Sequence, residues 1–140
     1  MRYFDTSVIF SLYINEARTP RVDAELRKNP GDVIVSPWVD IELKSALSLG
    51  VRSGRPSLQD AQMALSDYRS DRAEGRYNLQ VIDTKHFITA EQQIAFHNTL
   101  RAGDSLHLGI VLVENHLLVT GDANLAQLSQ ALGLTTVHIS

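Results

Sequence analysis

Residues 2–10 read RYFDTSVIF. Tyr3-Phe4 and Val8-Ile9-Phe10 suit a protein interior, yet a carboxylate and two hydroxyls, Asp5-Thr6-Ser7, stand between them. An ionised carboxylate is expensive to bury without a partner. The stretch reads as a strand at 2–4 followed at once by a helix over 7–15. Asp5 therefore stands at the carboxyl end of a buried strand, and the position calls for a reason.

Outward from this stretch the same alternation repeats. A second helix is expected over 19–29, a turn at Pro30-Gly31, and a buried strand at Val33-Ile34-Val35. Ser36-Pro37 reads as a cap with proline at the first helical position, opening a helix to about Gly50. A polar loop, VRSGRP, covers 51–56, and Ser57-Leu-Gln-Asp60 resembles a capping box opening a helix to about Arg76. Then come a strand at 79–82, a helix at 85–100 opened by an Asp83-Thr84 cap, and a helix from Asp104 to about Asn115. A strand at 117–119, a helix at 123–132 ended by Gly133, and a last strand at 136–139 complete the chain. The order βαα-βαα-βαα-βα-β implies an α/β fold of three layers, a five-stranded parallel sheet covered on both faces. Open sheets of this kind bind ligands at the carboxyl ends of their strands.

The 140 residues suit one domain, 1–140, with 44% apolar and 21% charged residues as in ordinary globular chains. There is no Cys, so thiolate metal sites and disulfides are excluded, which fits a reducing cytoplasm. No apolar run reaches the roughly 18 residues that span a bilayer, and no signal peptide or membrane association is expected. The net charge of −3 argues weakly against nucleic-acid binding. However, ten of the 13 basic residues are Arg, the better fork for phosphate.

Three further acids resemble Asp5 in their setting. Asp122 follows the fourth strand in LLVTGDANL; it and Asp5 both also suit a helix N-cap. Glu42 falls between Leu49 and Ala46 on the apolar arc of its helix, opposite Asp40, Lys44 and Ser48, so it needs an Arg or a metal as partner. Asp104 opens DSLHLGIVLV, apolar around nearly its whole circumference and hence buried. Four carboxylates sharing one edge repel each other, and a hard divalent cation, Mg²⁺ or Mn²⁺, resolves the conflict. Thr6, Ser7 and Thr120 are placed to orient carboxylates or metal waters, a role competing with ordinary turn and cap bonds. His107, one turn after Asp104, reads as a packing residue bonded to backbone.

YFDTSVIFSLY, WVDIELKSAL, LRAGDSLHLGIV and LLVTGDANLAQL, in this order and spacing, resemble the PIN-domain ribonucleases, specifically the VapC-type toxins of bacterial toxin–antitoxin pairs. The resemblance covers essentially the whole chain. It implies a Mg²⁺- or Mn²⁺-dependent endoribonuclease in which Asp5, Glu42, Asp104 and Asp122 hold the metal and a metal-activated water attacks phosphorus. It also implies a homodimer and a VapB-type antitoxin partner. Some members carry another acid where this chain has Asn124, which bears on how firmly a second metal is held. The segment from Arg52 to Arg76 is longer than the minimal pattern.

Arg101 beside Asp104, and Arg72 in a helix with Arg69 and Arg76, are candidate RNA contacts, although interleaved acids also suit a salt-bridged surface. Leu12, Tyr13, Val22 and Leu26 are left to either a partner or the core. The rival reading is a catalytically silent interaction or RNA-binding module on the same fold. Aspartate-nucleophile phosphatases want a second Asp where Ser7 stands, and receiver domains want paired acids near the first strand and a later Lys, which are missing.

Overall fold

A computed structural model describes residues 1–140. Five strands form one parallel sheet: β1 (Arg2–Phe4), β2 (Val33–Val35), β3 (Asn78–Leu79), β4 (Leu117–Thr120) and β5 (Thr136–His138). Seven α-helices connect them: α1 (Thr6–Tyr13), α2 (Thr19–Lys28), α3 (Pro37–Arg52), α4 (Leu58–Ala73), α5 (Thr84–Gln93), α6 (Ala102–Glu114) and α7 (Ala123–Ala131). A 3-10 turn at Pro30–Asp32 precedes β2. No helix is long and apolar enough to cross a membrane.

The strand order is β3-β2-β1-β4-β5. From β1 the chain moves outward through β2 to β3, then returns to place β4 on the other flank of β1. The crevice between the carboxyl ends of β1 and β4 is thus the switch point at which such sheets take ligands. Alternate strand residues feed two cores. Phe4, Val33, Val35 and Val119 pack with α1 to α4 on one face. Tyr3, Ile34 and Leu118 pack with residues of α5, α6 and α7 on the other. Val22 and Leu26 belong to the first core, with Leu12 and Tyr13 packed against it, so these apolar positions of the first two helices serve the interior.

Several boundaries differ from those read in the sequence. The α4 helix stops at Ala73 rather than Arg76. Gly75 takes φ +77°, and the Arg76 N–H returns to the Asp71 carbonyl at 2.9 Å, a left-handed stop that glycine permits. The helix expected over 85–100 ends at Gln93, whose carbonyl accepts from the Asn98 side chain at 3.0 Å in competition with further helix. The third strand lies at 78–79, not 79–82. It is an edge strand fastened by the Asn78 amide to the Gly31 and Val33 carbonyls, and Val81 beyond it faces solvent. The α3 helix continues to Arg52, and α6 starts at Ala102, which puts Asp104 inside the first turn rather than at the cap. Ser57 caps α4 through the Asp60 N–H as expected, but Ser36 caps nothing.

Candidate active site

Asp5 and Asp122 close strands β1 and β4 and open helices α1 and α7, so capping and an edge position coincide. Asp122 accepts from the Leu125 N–H at 2.8 Å. Asp5 is 3% exposed. Its Oδ1 accepts from Ser7 Oγ at 2.6 Å and from the Ser7 and Val8 N–H groups at 3.0 and 3.3 Å. Its Oδ2 accepts from Thr120 Oγ1. Burial pushes the Asp5 carboxyl up, against the pull of His107 and of the Ser7 and Thr120 hydroxyls. The same hydroxyls join the two strand ends: Ser7 Oγ accepts from the Gly121 N–H at 2.8 Å, and Thr120 Oγ1 from the Asp122 N–H at 3.0 Å.

Glu42 reaches this edge from α3. Its Oε1 accepts from Thr6 Oγ1 at 2.7 Å and from His107 Nε2 at 2.5 Å. His107 is 2% exposed and its Nδ1 meets the Tyr3 hydroxyl at 2.8 Å; that hydroxyl also meets Ser36 Oγ at 2.8 Å. The protein partner of Glu42 is His107 rather than an Arg, and the expectation that His107 bonds to backbone is corrected, since both of its ring nitrogens meet side chains. Burial alone would raise Glu42, but the hydrogen bond and charge of His107 hold it below the usual carboxylate range. Burial alone would lower His107, but the Glu42 bond and the Asp5 charge carry it above the ordinary histidine value. The polar support formed by Tyr3 and Ser36 was invisible in the sequence; the one available signal was that His107 lies a turn beyond Asp104 on the same helix. The apolar arc that singled out Glu42 is itself incomplete, because Leu49 is 58% exposed.

Asp104 accepts no hydrogen bond from the protein; its ion-pair contact is with Arg101 Nε at 3.8 Å. Burial raises its carboxyl, and the charges of Asp122 and Glu42 raise it further, against the opposing pull of His107 and Arg101. Arg101 is largely exposed beside it. Arg72 is engaged elsewhere: its Nη1 donates to Asp40 at 2.5 Å, and Tyr68 donates to the same carboxylate at 2.7 Å. Asn124 lies half-buried in the first turn of α7.

No three of the chain's His, Asp and Glu side chains converge as a ready cage for a cation. Asp5 is held by its own hydrogen bonds and Glu42 Oε1 by Thr6 and His107. The donor chemistry nevertheless fits a hard divalent ion: like-charged carboxylates in partial burial, with Asp104 and Glu42 Oε2 free of hydrogen bonds. A groove of about 730 Å³ between the end of α1 and the start of α4 is lined by Phe10, Tyr13 and Met63 and does not include the four acids. A smaller cleft of about 430 Å³ takes in Thr6, Ser7, Glu16 and Arg18.

The PIN domain family model matches residues 2–131. No curated protein matches the sequence. Among solved structures, the chain is similar to FitAcB from Neisseria gonorrhoeae, at 15% identity and TM-score 0.70, covering 99% of this chain and 97% of that one. It is similar to Mycobacterium tuberculosis VapC20, described as a sarcin-ricin loop cleaving toxin, at 16% identity and TM-score 0.71, with 99% of each chain covered. It is also similar to DNA-bound VapBC from Salmonella typhimurium, at 17% identity and TM-score 0.70, covering 98% and 96%. At these identities the structural likeness speaks for the fold. With a match over nearly its whole length and the corresponding sheet, the chain belongs to the PIN domain family.

Proposed function

We propose that this protein is a metal-dependent endoribonuclease, the toxin of a toxin–antitoxin pair, and that Asp5, Glu42, Asp104 and Asp122 hold Mg²⁺ or Mn²⁺. The observation that carries the reading is Asp104: a partly buried carboxylate without a hydrogen bond, raised by burial and by its acidic neighbours Asp122 and Glu42. When bound, a divalent ion would make a water nucleophilic near neutral pH and offset charge on the phosphoryl oxygens.

The chain's own residues set the geometry for this. Ser7 and Thr120 bond both oxygens of Asp5, so its carboxyl is held in one orientation despite its burial. Thr6 and His107 hold one oxygen of Glu42 and leave the other free. Asp104 and Asp122 approach from helix starts, where backbone N–H groups favour negative charge. Arg101, exposed beside Asp104, is placed to meet an RNA phosphate. Arg72 is a weaker candidate because Asp40 already holds it.

A protein partner of VapB type, a homodimer and action in the cytoplasm complete the proposal for this single domain. Solved structures of similar fold include the FitAB and VapBC complexes. Exposed Phe87, Ile88 and Phe96 offer apolar surface for association.

The test is cleavage of total RNA by the purified chain freed of any antitoxin, with Mg²⁺, Mn²⁺ or chelator, and with Asp104→Asn beside the wild type. Discrete fragments bearing 5′-phosphate and 3′-hydroxyl ends, dependent on both metal and Asp104, are expected. Products ending in a 2′,3′-cyclic phosphate would overturn the water mechanism. Absence of cleavage by folded, metal-loaded protein would favour a silent binding module.

A further inference from the structure

The chain has one tryptophan, Trp38, in the first turn of α3. It stands four residues before Glu42, a spacing that puts both side chains on one face of the helix. Its indole Nε1–H donates to the Gly103 carbonyl at 3.2 Å, one residue before Asp104. The ring therefore bridges α3 and α6 where those helices bring up two of the acids. Gly103 sets the spacing. A Cβ there would stand 2.6 Å from Glu42 Oε2 and 3.7 Å from Trp38 Cζ2. The unbonded oxygen of Glu42 and the six-membered ring of the indole thus meet the same bare backbone position beside Asp104.

Trp38 is half-buried: it packs against the second core without being enclosed by it. The acids beside it are also open in part, the Glu42 side chain being 26% exposed and that of Asp104 20%. The one polar atom of the indole is already taken by Gly103. What the ring offers a ligand is its π surface. Arg101, whose charge reaches both Asp104 and Glu42, stands largely exposed on the same edge.

We infer that Trp38 stacks on an unpaired base of the RNA next to the phosphate at the acids, a reading that rests on the proposed nuclease function. Every base has a π-face, so this contact holds a single strand without choosing its sequence. Arg101 meets the backbone and Trp38 the base, and together they fix one nucleotide across the acidic edge. Carboxylates repel a polyanion, whereas stacking attracts the base whatever the charge around it.

The full chain carries its own probe, because no other residue is tryptophan. Indole emission is followed in an Asp104→Asn background with Mg²⁺ as a short single-stranded RNA, or an abasic oligomer of the same length, is added. Anisotropy of fluorescein-labelled oligomers across a salt series gives affinities for this protein and for the same chain with Trp38→Phe or Trp38→Leu. RNA is expected to quench the emission saturably, and the abasic oligomer to leave it unchanged. Trp38→Leu should weaken RNA binding about tenfold, the scale of one lost base stack. The slope of log affinity against log salt stays the same, because no phosphate contact is lost, and so does affinity for the abasic oligomer. Trp38→Phe keeps a ring and should retain part of the affinity. Without the background change, KM for cleavage rises more than kcat falls. Equal quenching by both oligomers, or equal weakening of both in Trp38→Leu, would make Trp38 a merely structural residue and overturn the stack. Emission that saturating RNA does not move, with the parent still cleaving RNA, overturns the stack and leaves the nuclease reading intact. A parent chain that neither binds nor cleaves RNA overturns both.

Discussion

Replacing Tyr3 by Phe removes a single oxygen from the centre of the molecule. The Tyr3 ring is wholly buried, and its hydroxyl spans Ser36 Oγ and His107 Nδ1 at 2.8 Å each. Each bond contributes about 1 kcal/mol net, and a buried polar group left without a partner costs about 1–3 kcal/mol. Ser36 is fully buried and has no other side-chain bond, so it is orphaned outright. His107 keeps Glu42 on Nε2 but loses its support on Nδ1. The combined loss is roughly 2–4 kcal/mol, read as a shift of the urea midpoint without a change in slope, in chelator at pH 7. Ser36→Ala removes only one of the two bonds and should cost about half as much, and the double variant should cost less than the sum of the two. RNA cleavage should fall as well, because an unsupported His107 no longer fixes Glu42. A stability change below about 0.5 kcal/mol in Tyr3→Phe would refute the reasoning that this hydroxyl ties the core to the site.

Three further outcomes are expected. Gly109→Ala places a methyl 2.7 Å from the His86 carbonyl and 2.9 Å from the Ala90 nitrogen, both backbone, so overpacking exceeds the gain in helix propensity and melting reports a net loss of about 2 kcal/mol. The His107–Glu42 pair has a pH window: the raised His107 contributes stability fully below the ordinary histidine value of about 6.5, lost as pH rises through its folded value, and the lowered Glu42 contributes above about 4.3, lost as pH falls through its own. Denaturation of metal-free wild type and Glu42→Gln from pH 5 to about 9 should therefore converge on the alkaline side; parallel profiles would remove the pair from the account. For Asp104, whose folded value is raised, stability is present below about 3.9 and is lost as pH rises through that value. Asp104→Asn should thus melt higher than wild type in chelator at pH 7, respond less to added Mn²⁺, and cleave RNA at least about a hundredfold more slowly.

Strand-to-helix boundaries are legible because they change hydrophobic period and carry capping residues, and this was enough to put Asp5 and Asp122 on one edge. Glu42 was legible because it violates the pattern of its own helix. Its partner was not, since Tyr3, Ser36, Glu42 and His107 meet only through tertiary packing across the sheet. For the same reason the sequence assigned His107 a backbone bond. The early end of α5 depends on one Asn side chain five residues beyond Gln93 taking a carbonyl, which no periodicity reveals. The exposure of Leu49, within an apolar arc, likewise follows from what α3 packs against.

The hydrogen bond from Thr120 to Asp5 joins residues 115 positions apart. Chains are synthesised from the amino terminus, so Asp5 emerges from the ribosome long before the strand that holds it. Until β4 has entered beside β1, the first acid lacks Thr120 and the edge lacks Asp122. A polypeptide still being translated therefore cannot assemble the four-acid edge until the segment through Asp122 has emerged.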